Sequence, residues 1–221
     1  MVVWDPPIRD YQFLYHELLP AIETVQRLGY TDFNADFLDS LIEGWATHCE
    51  EVWLPINQLG DREGLKFEDG KITMPQEFKD AYRKGIDEGW LSTTCELEHG
   101  GMGVPLFFQA VTWAEFGTSA CMALSVLPAL SIGVYEVLVK HGRQDLIDYF
   151  ATNLASGEWS GTMCLTEPHA GTDLGIITTK ANPQEDGTYR LSGSKCFITY
   201  GEHDMAENIV HLVLAKAPGG P

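Results

Sequence analysis

The sequence predicts an α+β fold, a run of helices followed by a run of strands, and two observations carry that prediction. Between Arg9 and about residue 156 the apolar residues recur three and four apart, the spacing of one helix face. After Gly157 the pattern changes to short runs rich in Thr, Val, Ile, Tyr and Phe, separated by Pro, Gly and Asp. Helices first and strands second imply two units: an all-helical domain over 1–156 and the first part of a mainly antiparallel β-domain over 157–221. No internal repeat or low-complexity segment interrupts them.

Within the first unit, Phe37, Leu38, Leu41, Ile42, Trp45, Cys49, Val52, Trp53 and Ile56 form one core-facing stripe. Pro55 is expected to kink or shorten its end, because proline lacks a backbone donor and crowds the preceding turn. Further helices are predicted over 75–88, opened by Thr73 and Pro75, and over 105–117, 129–141 and 144–155. In the second unit WSGTMCLTE, GIITTKA, TYRLSG, KCFIT and NIVHLVLA are predicted strands. PQEDG and SGS supply the turns between them. The final strand runs into KAPGGP and is expected to be an exposed edge.

Composition excludes some functions. The 221 residues are 44% hydrophobic, with a mean hydropathy of −0.10, as expected of ordinary globular material. A formal charge of −18, from 32 acidic and 14 basic residues, repels polyanions, so no nucleic-acid partner is expected. The five cysteines contain no CxxC pair, and His169, His203 and His211 have no ligand spacing, so free thiols and no metal are expected. The N-terminus has no basic segment followed by an apolar run, and no stretch of roughly eighteen apolar residues uninterrupted by charge is expected. These features predict a cytoplasmic protein without a membrane span.

The chemistry-bearing segment is TMCLTEPHAGTDLGIITTKANPQEDGTYRLSGSKCFIT, residues 162–199. A strand delivers Thr166 to a Glu-Pro break. The turn Ala170-Gly171-Thr172-Asp173 then offers glycine for close backbone approach and small polar side chains for a heterocycle or phosphate. By residue type alone it reads equally as a polar turn without a ligand. Glu167 fits a turn-fixing hydrogen-bond acceptor, and Glu158 a solvated residue at a strand end.

As a whole, this string resembles the signature of the acyl-CoA dehydrogenase family: a Thr-Glu-Pro-x-Ala-Gly-(Ser/Thr)-Asp turn, a strand, a hairpin and a Gly-x-Lys-x-aromatic-Ile-Thr strand. PIRDYQFLYHELL and YGEHDMAENIVHLVLAKAPG resemble the larger bacterial group that includes the 3-methylmercaptopropionyl-CoA dehydrogenases. The likeness covers nearly the whole chain and is strongest from Gly157 onward.

The resemblance implies FAD as cofactor. It places the backbone of Met163 and Leu165, and the backbone and hydroxyl of Thr166, against the flavin ring. Gly171 and Thr172 fall where flavin or CoA phosphate is met. Phe197 matches the aromatic that covers the isoalloxazine, Ile198 adjoins it, and Thr199 matches a threonine bonding near N5. Thr166 and Thr199, each taken singly, also read as ordinary strand threonines. Pro128, Ala129 and Ile132 fall where the family lines its acyl channel, and equally read as helix-packing residues.

The implied reaction is α,β-dehydrogenation of an acyl-CoA to a trans-2-enoyl-CoA, with electrons passing to an electron-transfer flavoprotein. Its base is a glutamate of a C-terminal helical bundle absent from this chain, so no catalytic residue is assigned here. A homo-oligomer is also implied. An acyl-CoA oxidase and a non-dehydrogenating flavin-binding relative are the alternatives, and the acyl group is either fatty or methylthio-propanoyl.

Overall fold

A computed structural model describes residues 4–106, 108–109 and 113–219. The first helix, α1 (Ile8–Gln12), continues into a π-helical turn over Phe13–Leu18 and buries Tyr11 and Tyr15. Tyr15 meets Phe108 edge-on with centroids 4.9 Å apart, and Tyr11 meets Phe116 at 5.1 Å. Helix α2 (Ala21–Arg27) follows, then α3 (Ala35–His48), whose start is capped by the Asn34 side chain accepting from Phe37 N–H at 2.9 Å.

The predicted stripe over residues 37–56 holds except at Phe37, which is 38% exposed at the start of its helix, and Pro55 does not break it. Cys49–Trp53 widen into a π-helical turn and α4 (Leu54–Glu63) begins beyond it, with Pro55 in its first turn. The wider turn accommodates a residue that lacks an N–H and crowds the carbonyl four residues earlier. Trp45, Trp53 and Phe116 of the resulting core are almost completely buried.

The first unit is not all helical. Lys66–Glu68 (β1) and Lys71–Thr73 (β2) pair antiparallel around Asp69-Gly70, which have φ of 51° and 79°. That backbone is the two-residue turn that Asp-Gly favours. Helix α5 (Gln76–Asp87) matches its prediction within a residue or two. The predicted helix over 105–117 includes 107 and 110–112, which lie outside the described residues; Trp113–Gly117 form a π-helical turn.

Helix α6 (Thr118–His141) starts eleven residues before the predicted 129–141, with Pro128 inside it and non-helical angles at Cys121. Residues 116–135 carry no charge, which corrects the expectation of no long uncharged apolar stretch. Among the described residues, the helix spanning Trp113–His141 is long and apolar enough, by length and composition, to cross a membrane. Here Leu124, Leu127, Val134 and Tyr135 point it into the protein core.

Helix α7 (Gln144–Ser156) ends at Gly157, whose φ of 82° is the left-handed terminus that glycine accepts without strain. Strand β3 (Trp159–Cys164) pairs in parallel with β6 (Asn208–Val213), Gly161 opposite Val210, while β4 (Lys180–Pro183) and β5 (Tyr189–Ser192) form an antiparallel hairpin. Of the two strand pairings described in the β-part, β3–β6 is parallel and β4–β5 antiparallel. A second core of Val134, Tyr135, Ala151, Leu154 and Ala155 packs against Val210 and Leu212, fastening the strands to α6 and α7.

Two predicted strands change. GIITTKA opens instead with a 3-10 turn over Leu174–Ile176, because the Asp173 carboxylate accepts from Gly175 N–H at 3.0 Å and turns the chain. KCFIT forms no strand: Phe197 and Tyr200 have φ of 58° and 55°, which an extended ladder cannot contain.

Candidate functional site

The end of β3 and the segment 195–199 come together through their backbones. Cys196 N–H donates to the Thr166 carbonyl at 3.0 Å. Lys195 Nζ donates to the Leu165 carbonyl at 2.8 Å and to Glu167 Oε1 at 3.0 Å. Two predicted site segments nearly 30 residues apart in sequence thus become neighbours.

Glu167 is the hub. Its side chain is 1% exposed, yet Thr178 N–H (2.7 Å), the Thr178 hydroxyl (2.9 Å) and Thr179 N–H (2.9 Å) all donate to it. Burial alone pushes its pKa up; the bonds from Thr179, Thr178 and Lys195 outweigh that and hold the carboxyl far below the usual carboxylate range. Glu167 N–H and the Ala170 carbonyl, and Ala170 N–H and the Glu167 carbonyl, close the turn at 2.9 and 3.0 Å. The expected turn-fixing acceptor is what the structure contains.

Around this hub, the main-chain N–H and the hydroxyl of Thr166 have no acceptor or donor partner among the described residues. Gly171 and Thr172 are exposed, and a Cβ built at Gly171 would meet nothing within 4 Å. Phe197 is 90% exposed, so both faces of its ring are free. Met163 lies within β3, opposite Leu212. Unpartnered donors, an open turn and a free aromatic ring fit a flat, polar, phosphate-bearing cofactor.

The remaining predicted residues sit elsewhere. Ile198 and Thr199 line a groove of about 830 Å³ with Met74, Phe78 and Ala123. Ala129 and Ile132 line a second, mostly apolar groove of about 620 Å³ along α6, with Trp113, Leu130 and Gly133. Pro128 is buried and lines neither groove. The two grooves share no residue, so the expected acyl and flavin residues are not gathered into one cavity by these elements.

Sequence reasoning missed a clamp that follows Thr199. The Tyr200 hydroxyl donates to the Ala123 carbonyl at 2.6 Å, beside the irregular turn of α6. His203 Nδ1 accepts from Met205 N–H at 3.1 Å, which leaves Nε2–H to donate to Ser160 Oγ at 2.9 Å. Burial lowers the pKa of His203, against a smaller opposing pull from Glu202 and Asp204. Asp204 accepts from Met74 N–H at 2.9 Å and pairs with Lys79. Nothing in YGEHDM marks these partners, since each lies many residues away on another element.

His211 Nδ1 lies 2.6 Å from the Thr162 hydroxyl and His169 Nε2 3.1 Å from the Ile176 carbonyl. Glu158 is paired with Arg83 at 2.7 Å, and Glu115 accepts from the Tyr11 hydroxyl.

Residues 61–158 match the acyl-CoA dehydrogenase N-terminal domain family. The chain is 40% identical over its whole length to 3-methylmercaptopropionyl-CoA dehydrogenase of Ruegeria pomeroyi, covering 37% of that protein. It is 34% identical, over 96% of its length, to a butyryl-CoA dehydrogenase of Syntrophomonas wolfei, covering 35% of it. The fold is similar to an acyl-CoA dehydrogenase from Bacillus anthracis solved with FAD, with a TM-score of 0.67 and 22% identity over 86% of this chain and 30% of that one. The chain spans little more than a third of the length of these curated relatives.

Proposed function

We propose that this chain, which belongs to the acyl-CoA dehydrogenase family, is the flavin-facing N-terminal part of an enzyme that dehydrogenates an acyl-CoA thioester to a trans-2-enoyl-CoA. The observation that carries the reading is the pair of unpartnered donors on Thr166, held rigidly beside the exposed Phe197. FAD, when bound, supplies the acceptor for the hydride leaving the substrate β-carbon.

The chain's own contribution is binding and orientation. The N–H and hydroxyl of Thr166 and the hydroxyl of Thr199 would hydrogen-bond the flavin ring, Phe197 would supply an aromatic face for it, and the open Gly171-Thr172 turn would admit phosphate. Ala129 and Ile132 supply apolar wall for the acyl chain, while Pro128 shapes the helix from behind. Removing an α-proton needs a positioned base. Glu167, Glu158 and Glu115 are all engaged in structural bonds, which supports a glutamate outside this chain.

Electron-transfer flavoprotein is the proposed acceptor, with a homo-oligomeric enzyme in the cytoplasm. The likeness to a 3-methylmercaptopropionyl-CoA dehydrogenase supports a methylthio-propanoyl thioester as substrate beside short fatty acyl-CoA. The test is the visible spectrum of the complete protein under anaerobic conditions, before and after adding butyryl-CoA or 3-methylmercaptopropionyl-CoA. Flavin absorbance that bleaches with either thioester is the expected result. Oxygen consumption during turnover would mark an oxidase instead, and a colourless protein that FAD does not reconstitute would refute the proposal.

A further inference from the structure

We propose that Lys195, with Glu167 as its counter-charge, is a positioning residue that aims the Thr166 main-chain N–H at the flavin and sets how readily the flavin is reduced. The inference rests on the FAD-binding reading given above. It is carried by the peptide joining Leu165 to Thr166.

In a trans peptide the carbonyl and the N–H point in opposite directions. Lys195 Nζ holds the Leu165 carbonyl at 2.8 Å, on the side where Glu167 is buried. The Thr166 N–H of the same peptide is therefore turned away from that buried pair, and it has no acceptor among the described residues. The next peptide is fixed as well, its carbonyl by Cys196 N–H at 3.0 Å and its N–H by the Ala170 carbonyl at 2.9 Å. Thr166 thus sits between two immobilised peptide planes with its own donor left open.

The cation also polarises the peptide it touches, and in a water-poor setting this strengthens the N–H at its other end. Stability does not account for such a pair. The Lys195 side chain is 11% exposed and that of Glu167 1%, and taking two charges out of water costs about as much as their attraction returns. Glu167 is already satisfied by Thr178 and Thr179 without the lysine. What Lys195 adds is a fixed direction for one carbonyl and a positive charge next to the donor. Of the other ionisable groups near this pair, His169 has its Nε2 3.6 Å from Glu167 Oε2 and is half exposed.

The test uses the complete protein carrying FAD, with three single variants and one double. Lys195→Met keeps a long unbranched side chain, removes the cation and leaves the Glu167 charge without its lysine partner. It should weaken FAD binding and move the reduction equilibrium about tenfold toward oxidised flavin, about 30 mV for a two-electron couple. Glu167→Gln leaves the cation unopposed and should move the equilibrium the other way. Lys195→Arg should stay close to the parent, and Lys195→Met/Glu167→Gln should fall between the single variants.

A merely structural role predicts shifts of the same sign in Lys195→Met and Glu167→Gln, through loosened packing or a wetter flavin, and that outcome overturns the proposal. Unchanged FAD affinity and potential in Lys195→Met overturns it too. If Lys195→Met fails to fold or to retain flavin, the sign of the Glu167→Gln shift and the behaviour of Lys195→Arg decide. A parent protein that binds no FAD removes the functional reading itself, whereas a flavin-loaded parent with unmoved variants removes only the role of Lys195.

Discussion

Replacing Gly161 by alanine tests whether α6 and β3 pack as described. A Cβ at Gly161 would stand 2.8 Å from Val134 Cβ, 2.9 Å from Val134 Cγ2 and 3.2 Å from Ser131 Cα. Ordinary contact begins near 3.4 Å, so helix and strand must separate by roughly half an ångström, and the cost of overpacking is about 1–3 kcal/mol. The same movement stretches the 3.0 Å bond from Gly161 N–H to Ser131 Oγ, worth about 1 kcal/mol. Alanine's smaller entropy in the unfolded chain returns about 0.4–1 kcal/mol. The net loss is about 1–3 kcal/mol, read as a lower urea midpoint for the complete protein. Gly133→Ala on the groove side of α6 is the internal control. Its Cβ meets nothing within 4 Å, and a helix-interior Gly to Ala change adds up to about 1 kcal/mol. A Gly161→Ala protein as stable as the parent, or one stabilised like Gly133→Ala, would refute the packing.

Three further outcomes are expected. Burial depresses His203 below its unfolded value, so its contribution is complete above about pH 6.5 and is lost as pH falls through the folded pKa. Thermal melts should therefore decline as pH falls below about 6.5, and His203→Gln should flatten the decline only in part, because buried His48 is depressed as well; an unchanged slope would exclude His203. Cys49, Cys95, Cys121 and Cys164 are buried and Cys196 is half-buried; burial raises the Cys49 thiol and takes Cys95 to about 12. Native thiol titration of the complete protein should lose a fast-reacting cysteine on Cys196→Ser, and no change in the fast phase would contradict that accessibility. Thr166→Val removes one hydroxyl and should weaken FAD binding about tenfold with little change in the melting midpoint, roughly the 1–1.5 kcal/mol of one hydrogen bond; equal FAD affinity would show that the hydroxyl does not touch the cofactor.

Periodicity made the long elements legible because burial of one face dictates them. Leu38, Ile42, Trp45 and Trp53 are core residues in the structure as in the pattern. Boundaries failed where local chemistry decides. Nothing in the spacing reveals the π-helical turn that absorbs Pro55, or the start of α6 at Thr118, where small and apolar residues carry no cap. The β1–β2 hairpin had a visible signal in KFEDGKIT that its polar surroundings obscured, since all but one of its strand residues are exposed. KCFIT has the composition of a strand but not its backbone, because Phe197 and Tyr200 adopt left-handed angles that composition does not encode. Of the candidate site, the turn-fixing part of Glu167 was legible in the sequence. Lys195 and the Tyr200–Asp204 clamp stayed hidden, their partners being a backbone carbonyl or a distant side chain.

That clamp bears on how the site is controlled. The residues expected to face flavin lie on the β-part, yet several of the contacts that fix them come from the helical part. Tyr82 holds the Gly157 carbonyl at 2.8 Å just before β3, Tyr200 holds the Ala123 carbonyl of α6, and Asp204 is held by Met74 and Lys79 at the start of α5. Thr199 is one residue from Tyr200, so a shift of α6 relative to α5 displaces Thr199 directly. Thr166 is tied to the same segment through Cys196 N–H. Tyr200→Phe removes a single hydroxyl outside the proposed contact set, at a cost of about 1 kcal/mol. If the helices position the flavin contacts through this clamp, that variant will change the visible spectrum of bound FAD in the complete protein. If the β-part holds its own geometry, only the melting temperature will move.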